Sequence, residues 1–259
     1  MYVARLGLTP VKGMTHTSFA QLDLDAAGPR YDREFCVVEA ATGRVLRTVE
    51  DDMAMACHAV WKPPVLMIST PIGDVTDEVP AATPAPGLVG YYWDRELALV
   101  AVPGPWTELL SRYFGRPVRL CRVRGAARPV WAGPVSLVTS SALAELAHRL
   151  GRPVDDGARF RATIVVDTGE DAPFVEDAWV GSRLRIGSAV ISIDEHLPRC
   201  AVVDRRPGAG GFDARVLAAL ASDRRFGGEI VFGVAGRVEV PARITVGDEV
   251  VLLPAQPKG

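Results

Sequence analysis

Short aliphatic and β-branched runs, broken at close intervals by glycine and proline, set the rhythm of this chain. Phe19–Leu24, Glu34–Glu39, Val65–Ser69, Leu97–Val102, Pro117–Val123, Thr163–Val166, Leu184–Ile186, Val190–Ile193, Ile230–Val240 and Glu249–Leu253 predict strands. Many short strands with frequent turns predict a barrel or sandwich. Gly187-Ser188 separates two runs at the spacing of a two-residue hairpin, and Gly247-Asp248 separates Arg243–Val246 from Glu249–Leu253 in the same way. The helical period is confined to three places. Ala142–Leu150 sets Leu143, Leu146, Ala147 and Leu150 on one face, behind Thr139, Ser140 and Ser141, whose hydroxyls can cap its free amides. Ala214–Ala221, with Asp213 near its start, and Trp106–Phe114 are the others. The fold class expected is mainly β with a few helices (α+β).

The pattern lapses twice. Gly73–Gly90 carries Pro80, Pro84 and Pro86 with little apolar order, and reads as a long exposed loop or insertion. Arg122–Gly133 is irregular and rich in arginine, so a domain boundary is placed there, giving 1–122 and 123–259.

Charge and composition narrow the function classes. The 259 residues include 31 acidic and 29 basic side chains, so the basic excess of a nucleic-acid binder is missing. The longest apolar stretches, such as Val65–Ile68 and Leu97–Val102, are far too short to span a bilayer, and the first six residues lack a signal-peptide core. No membrane partner is expected, and a cytoplasmic location with reduced thiols is.

The four cysteines form no C-x-x-C pair, which speaks against a disulfide framework and a zinc ribbon. Cys36 and Cys121 fall inside strand runs and Cys57 inside Met53–Val60, all readable as packing residues. Cys200 has a different setting, Asp194-Glu195-His196-Leu197-Pro198-Arg199-Cys200. Pro198 ends a strand and puts Arg199 and Cys200 on a turn. The arginine favours the thiolate, which can be a nucleophile, a persulfide carrier or a soft-metal ligand. Simple packing of a half-buried thiol is the alternative. His196 reads as a base or as a solvated turn histidine.

Cations recur elsewhere. In an extended segment Arg159 and Arg161 would face one side and could grip a phosphate or carboxylate, or could merely end a strand in solvent. Thr139–Ser141 can cap a helix or offer its start to an anion. Lys12 and Arg33 are single cations. Glu176-Asp177 reads as an acidic turn before a buried Trp179. There is no P-loop, and Gly208-Ala209-Gly210-Gly211 has no βαβ context.

In their order these segments resemble the MOSC-domain family, named for the C-terminal domain of molybdenum cofactor sulfurase. The N-terminal half resembles the β-barrel-like domain that precedes MOSC in the amidoxime-reducing component and its bacterial relatives. The resemblance rests on Pro10-Val11-Lys12, Gly28 and Asp32-Arg33. It continues through Arg159-Phe160-Arg161 before Ile164-Val165-Val166, then Glu176-Asp177, Trp179, Gly181 and Arg185-Ile186-Gly187. Arg199-Cys200, Pro207, Gly210, Val216-Leu217 and Ile244-Thr245-Val246-Gly247-Asp248 complete it.

The resemblance implies a MOSC-type β-barrel behind a β-barrel-like N-terminal domain, and a molybdenum cofactor (molybdopterin). Cys200 would be both catalytic and the protein ligand to molybdenum. Lys12, Arg33, Arg161 and Arg199 would surround the pterin phosphate, with Thr139, Ser140 and Thr163 beside them. The implied activity is reduction of small N-oxygenated (N-hydroxylated) compounds; the family description also carries pyridoxal phosphate binding. No four-cysteine cluster motif is present, so electrons are expected from a separate protein of ferredoxin, flavodoxin or cytochrome type. The chain departs from the family pattern at Gly13, where serine is usual, and at Ala162-Thr163, where Pro-Asn is usual. It departs again at Val203-Asp204 and Arg206. Two other readings stay open: a sulfur or cofactor carrier using a Cys200 persulfide, and a diverged MOSC fold without molybdenum.

Overall fold

The computed structural model describes residues 1–81, 87–125, 127–154 and 157–253. Its largest sheet has nine strands. Eight run in the order Val250–Leu253, Arg183–Ile186, Ala189–Pro198, Glu229–Val240, Val135–Thr139, Ile164–Asp167, Tyr2–Leu8 and Thr17–Phe19, and Arg225–Phe226 pairs with Glu229–Val240. The Gly187-Ser188 hairpin is present, with Ile186 opposite Ala189. Val135–Thr139 and Ile164–Asp167 are parallel. A parallel pair needs a crossover, and a helix, Ser140–Leu150, lies in the connection between them. This sheet encloses an aliphatic core that includes Leu6, Leu137, Ile164, Leu184, Ile191 and Val234, all fully buried. Tyr2–Leu8, which precedes the expected boundary at residue 122 by a wide margin, is hydrogen-bonded to Ile164–Asp167 inside this sheet.

Smaller sheets build the rest. One runs Phe35–Glu39, Val118–Val123, Arg95–Ala101, Leu88–Tyr92, another His58–Lys62, Val65–Thr70, Gly73–Glu78, and a third joins Arg243–Thr245, Gln21–Asp25 and Gly28–Pro29. The helix Trp106–Phe114 covers a second core with Trp106 and Leu110 fully buried, against Phe35, Leu66, Ile68 and Leu120. It ends at Gly115, whose left-handed backbone (φ +65°) closes the last turn. The architecture is mainly β with a few helices, as expected.

Four local expectations change. Gly73–Glu78 is a strand and Leu88–Tyr92 another, so the expected Gly73–Gly90 loop shrinks to the residues between them, of which 82–86 lie outside the described residues. Gly73–Glu78 is exposed along nearly its whole length as an edge strand, so it carries no alternation to read. Gly247-Asp248 does not close a hairpin. Arg243–Thr245 pairs with Gln21–Asp25 while Val250–Leu253 pairs with Arg183–Ile186, so the turn passes the chain between sheets. Residues 157–161 form turns rather than an extended segment, and Arg161 takes φ +51°. His196 lies within the strand Ala189–Pro198, stacked 4.2 Å from Phe226, instead of on a solvated turn.

Candidate functional site

A cavity of about 230 Å³ opens where several of these segments meet, and Lys12, Arg33, Arg161, Arg199 and Cys200 all line it. Each arrives by its own local route. Val11 bridges Phe35, which holds the Lys12 segment against the Phe35–Glu39 strand. Arg33 stands just before that strand with φ +47°. Pro198 ends its strand, so Cys200 falls just before the short 3-10 turn Ala201–Asp204.

Arg199 explains how the Cys200 turn is fixed. Its Nε and Nη2 donate to the Phe232 carbonyl at 2.9 and 2.7 Å, and Nη1 donates to the Phe160 carbonyl at 2.9 Å. Its guanidinium also lies 5.1 Å over the Phe160 ring, which stacks on Phe232 at 4.1 Å. One planar cation thus ties three segments together through acceptors that carry no net charge. Arg161 donates to the Gly13 carbonyl at 2.7 Å. Gly13 has φ +91°, and a Cβ there would stand 3.2 Å from Thr48 and 3.3 Å from Ala54, so serine would fit this turn poorly. Arg159 also lines the cavity, but its guanidinium donates to the Val203 and Arg205 carbonyls and pairs with Asp213.

The charge balance of the cavity is uneven. Asp32 pairs with Arg33. Among the described residues, no carboxylate hydrogen-bonds Lys12, Arg161 or Arg199. Burial pushes Lys12 down to about 7, helped by Arg161 and Arg33 and partly offset by Cys200. Burial also lowers Arg161 to about 10, with Arg33 adding to it and Asp32 and Cys200 partly offsetting it, and lowers Arg199 to about 9 against a smaller opposing effect of Cys200. These are the shifts expected of cations removed from water with too little negative charge near them. The Lys12 ammonium lies 5.1 Å over the Tyr92 ring, a partial substitute for a counter-ion.

His16, which the sequence did not single out, braces the Arg161 turn. Burial, then Arg5, Arg33 and Arg161, keep it well below the ordinary histidine range, so it is neutral. Its Nε2 lies 3.0 Å from the Ala162 carbonyl, an acceptor only, so Nε2 carries the proton and Nδ1 accepts from Thr9 Oγ at 3.1 Å. The Thr9 amide donates to Asp32 at 2.8 Å, so the Arg33 and Arg161 turns share one hydrogen-bonded frame.

Thr139, Ser140 and Thr163 do not line the cavity. Thr139 is fully buried, caps the helix through the Ala142 amide and donates to Glu176 at 2.7 Å. Ser140 accepts from the Thr168 amide, and Thr163 exchanges hydrogen bonds with Ser136. Glu176 is fully buried beside a buried Trp179, and burial raises its carboxyl. Cys36, Cys57 and Cys121 are buried, their thiols pushed upward by desolvation, while Cys200 is exposed; all four are free. The described residues hold no cluster of three or more His, Cys, Asp or Glu suited to a metal ion. None of their helices is long and apolar enough to cross a membrane.

The fold and cavity define a β-barrel protein built around one accessible thiol in a cationic pocket. The chain belongs to the MOSC-domain family: the MOSC N-terminal beta barrel domain matches residues 1–87 and the MOSC domain residues 124–251. That family is linked to molybdenum cofactor binding. Among solved structures, the YUAD protein of Bacillus subtilis is similar over 98% of this chain and 96% of its own, at 12% identity and a TM-score of 0.46. YiiM from Geobacillus stearothermophilus is similar over 47% of this chain and 54% of its own, at 17% identity and a TM-score of 0.34. No curated protein matches significantly.

Proposed function

We propose that the cavity holds a molybdenum–pterin cofactor and that the protein reduces N-oxygenated compounds with electrons from a separate donor protein. The observation that carries this reading is the union of an exposed thiol with Lys12, Arg161 and Arg199, three desolvated cations that no carboxylate hydrogen-bonds among the described residues. Crowding such cations is unfavourable until an anion joins them. A ligand with a soft metal at one end and a phosphate at the other fits both halves of that description. Cys200 would hold the metal, and Lys12, Arg33 and Arg161 the anionic part. Arg199, its hydrogen bonds already used on carbonyls, would fix the Cys200 turn and add its charge. Thr139, Ser140 and Thr163 serve the scaffold in this reading.

When bound, the cofactor would supply the two-electron redox chemistry. The chain's own residues bind and orient it. Conversion of an N–OH group to N–H takes two electrons and two protons and releases water. Lys12, titrating near neutrality, can hold a proton at Nζ inside the cavity. The test is anaerobic turnover of benzhydroxamic acid to benzamide by protein from a cofactor-competent host, with reduced methyl viologen as donor. Product from the native protein and none from Cys200→Ala is expected. No product from molybdenum-replete native protein would overturn the reading, and a labile extra sulfur on Cys200 by mass spectrometry would assign a carrier role instead.

A further inference from the structure

The mouth of the cavity is built from two exposed indoles. Trp93 is 45% and Trp131 60% exposed, and both line the same cavity as Cys200. Their ring centroids are 5.3 Å apart at 65°, an edge-to-face pair. Large aromatic side chains left in water together, at the rim of a pocket, mark a surface that a ligand covers.

The backbone adds an independent observation. Tyr92 faces Arg95, so Trp93 and Asp94 form the two-residue turn between Leu88–Tyr92 and Arg95–Ala101. Trp93 takes φ +58°. That position favours asparagine, aspartate or glycine, and an indole there is held against local preference. Such strain clusters at ligand sites. Among the described residues the non-glycine positions with positive φ are Tyr31, Arg33, Trp93, Arg161 and Phe174, and Arg33, Trp93 and Arg161 all line this cavity.

The indoles are also locked in place. The Arg47 guanidinium lies 4.0 Å over the Trp93 ring and is itself paired with Glu50. Arg95 donates to the Val130 carbonyl, tying the Trp131 segment to the Trp93 hairpin. One side of Trp93 is therefore occupied by a cation, while Trp131 keeps most of its surface in solvent at the cavity rim.

We infer that Trp93 and Trp131 form a stacking platform for a planar aromatic portion of the substrate, so that this protein favours ring-bearing N-oxygenated compounds over saturated ones. The inference rests on the reductase reading for the nature of the polar group that enters the cavity; the platform itself rests on the indole geometry.

Binding separates the two claims. The dissociation constants of benzhydroxamic acid and of cyclohexanecarbohydroxamic acid, its saturated-ring counterpart, are measured by calorimetry on the native protein, Trp131→Ala and Trp131→Phe. The native protein is expected to prefer the aromatic compound, and Trp131→Ala to weaken it about five- to tenfold. The saturated compound should lose about twofold or less, and Trp131→Phe should restore most of the aromatic preference. Equal losses for both compounds, or no loss in Trp131→Ala, would overturn the platform. Preferential aromatic binding without any turnover leaves the platform standing and counts against the reductase reading alone.

Discussion

Replacing Lys12 by methionine should stabilise the ligand-free protein, most strongly at and below neutral pH and progressively less as the pH rises toward 10.5. Methionine keeps the apolar stem and removes the ammonium. In the folded chain Lys12 titrates at about 7, against 10.5 for an ordinary lysine. Between those values the unfolded chain binds more protons than the folded one, so stability rises with pH across that window and is lowest below pH 7. The full difference corresponds to at most about 5 kcal/mol at roughly 1.4 kcal/mol per tenfold. Lys12 is only half-buried and opens on the cavity, so solvent screening reduces the figure to about 2 kcal/mol. Urea unfolding of both proteins at pH 6 and pH 9 measures it, because the titrating groups not coupled to Lys12 cancel in the difference. Lys12→Met should be more stable by about 2 kcal/mol at pH 6 and by less, about 1–1.5 kcal/mol, at pH 9. A difference independent of pH, or a less stable variant at pH 6, would refute the claim that an uncompensated cation sits in this cavity.

Other perturbations have equally definite outcomes. Gly13→Ala, forced to φ +91° against Thr48 and Ala54, should lose about 1–2 kcal/mol in denaturant unfolding; an unchanged midpoint would contradict the geometry of the Arg161 support. Iodoacetamide should label Cys200 alone in the folded protein and the other three thiols only after unfolding, as peptide mass mapping would show, whereas early labelling of Cys36 or Cys121 would contradict their burial. Arg159→Met strips Asp213 of its interior partner. With Arg152 and Arg206 still close to that carboxylate, the loss should be about 2–3 kcal/mol, and a change within about 0.5 kcal/mol would show the pair to be dispensable.

Much of this fold was legible in the pattern of apolar residues. The helix Trp106–Phe114 has the bounds its spacing predicts, and the Gly187-Ser188 hairpin closes at those residues. Some of the strands overlooked depart from simple alternation, while His58–Lys62 and Leu88–Tyr92 alternate and were overlooked all the same. Gly73–Glu78 is wet on both faces. Tyr2–Leu8 buries Arg5, which interrupts its apolar face with a charge that donates to Ser18. Gly247-Asp248 carries a hairpin's signal, yet the partners of its flanking strands are chosen by distant segments.

The site divides along similar lines. Cys200 stood out through Pro198 and Arg199, but nothing local links it to Lys12; their meeting follows from tertiary structure and was anticipated only through the family resemblance. Arg159-Phe160-Arg161 was read as an extended pair, whereas the turn sends Arg159 to Asp213 and Arg161 to Gly13. His16 was silent because its partner Ala162 is 146 residues away. Trp93 occupies a turn position that local preference gives to smaller residues, and Trp131 sits in a stretch without period. Only their spatial pairing makes them a feature.

The central claim is that Cys200 and its cations hold a molybdenum–pterin cofactor. The direct measurement is the molybdenum and pterin content per chain of native protein and Cys200→Ala, both purified from a host that makes the cofactor. The account predicts near-stoichiometric molybdenum and pterin in the native protein and loss of most of the metal in the variant. Native protein free of both would contradict it.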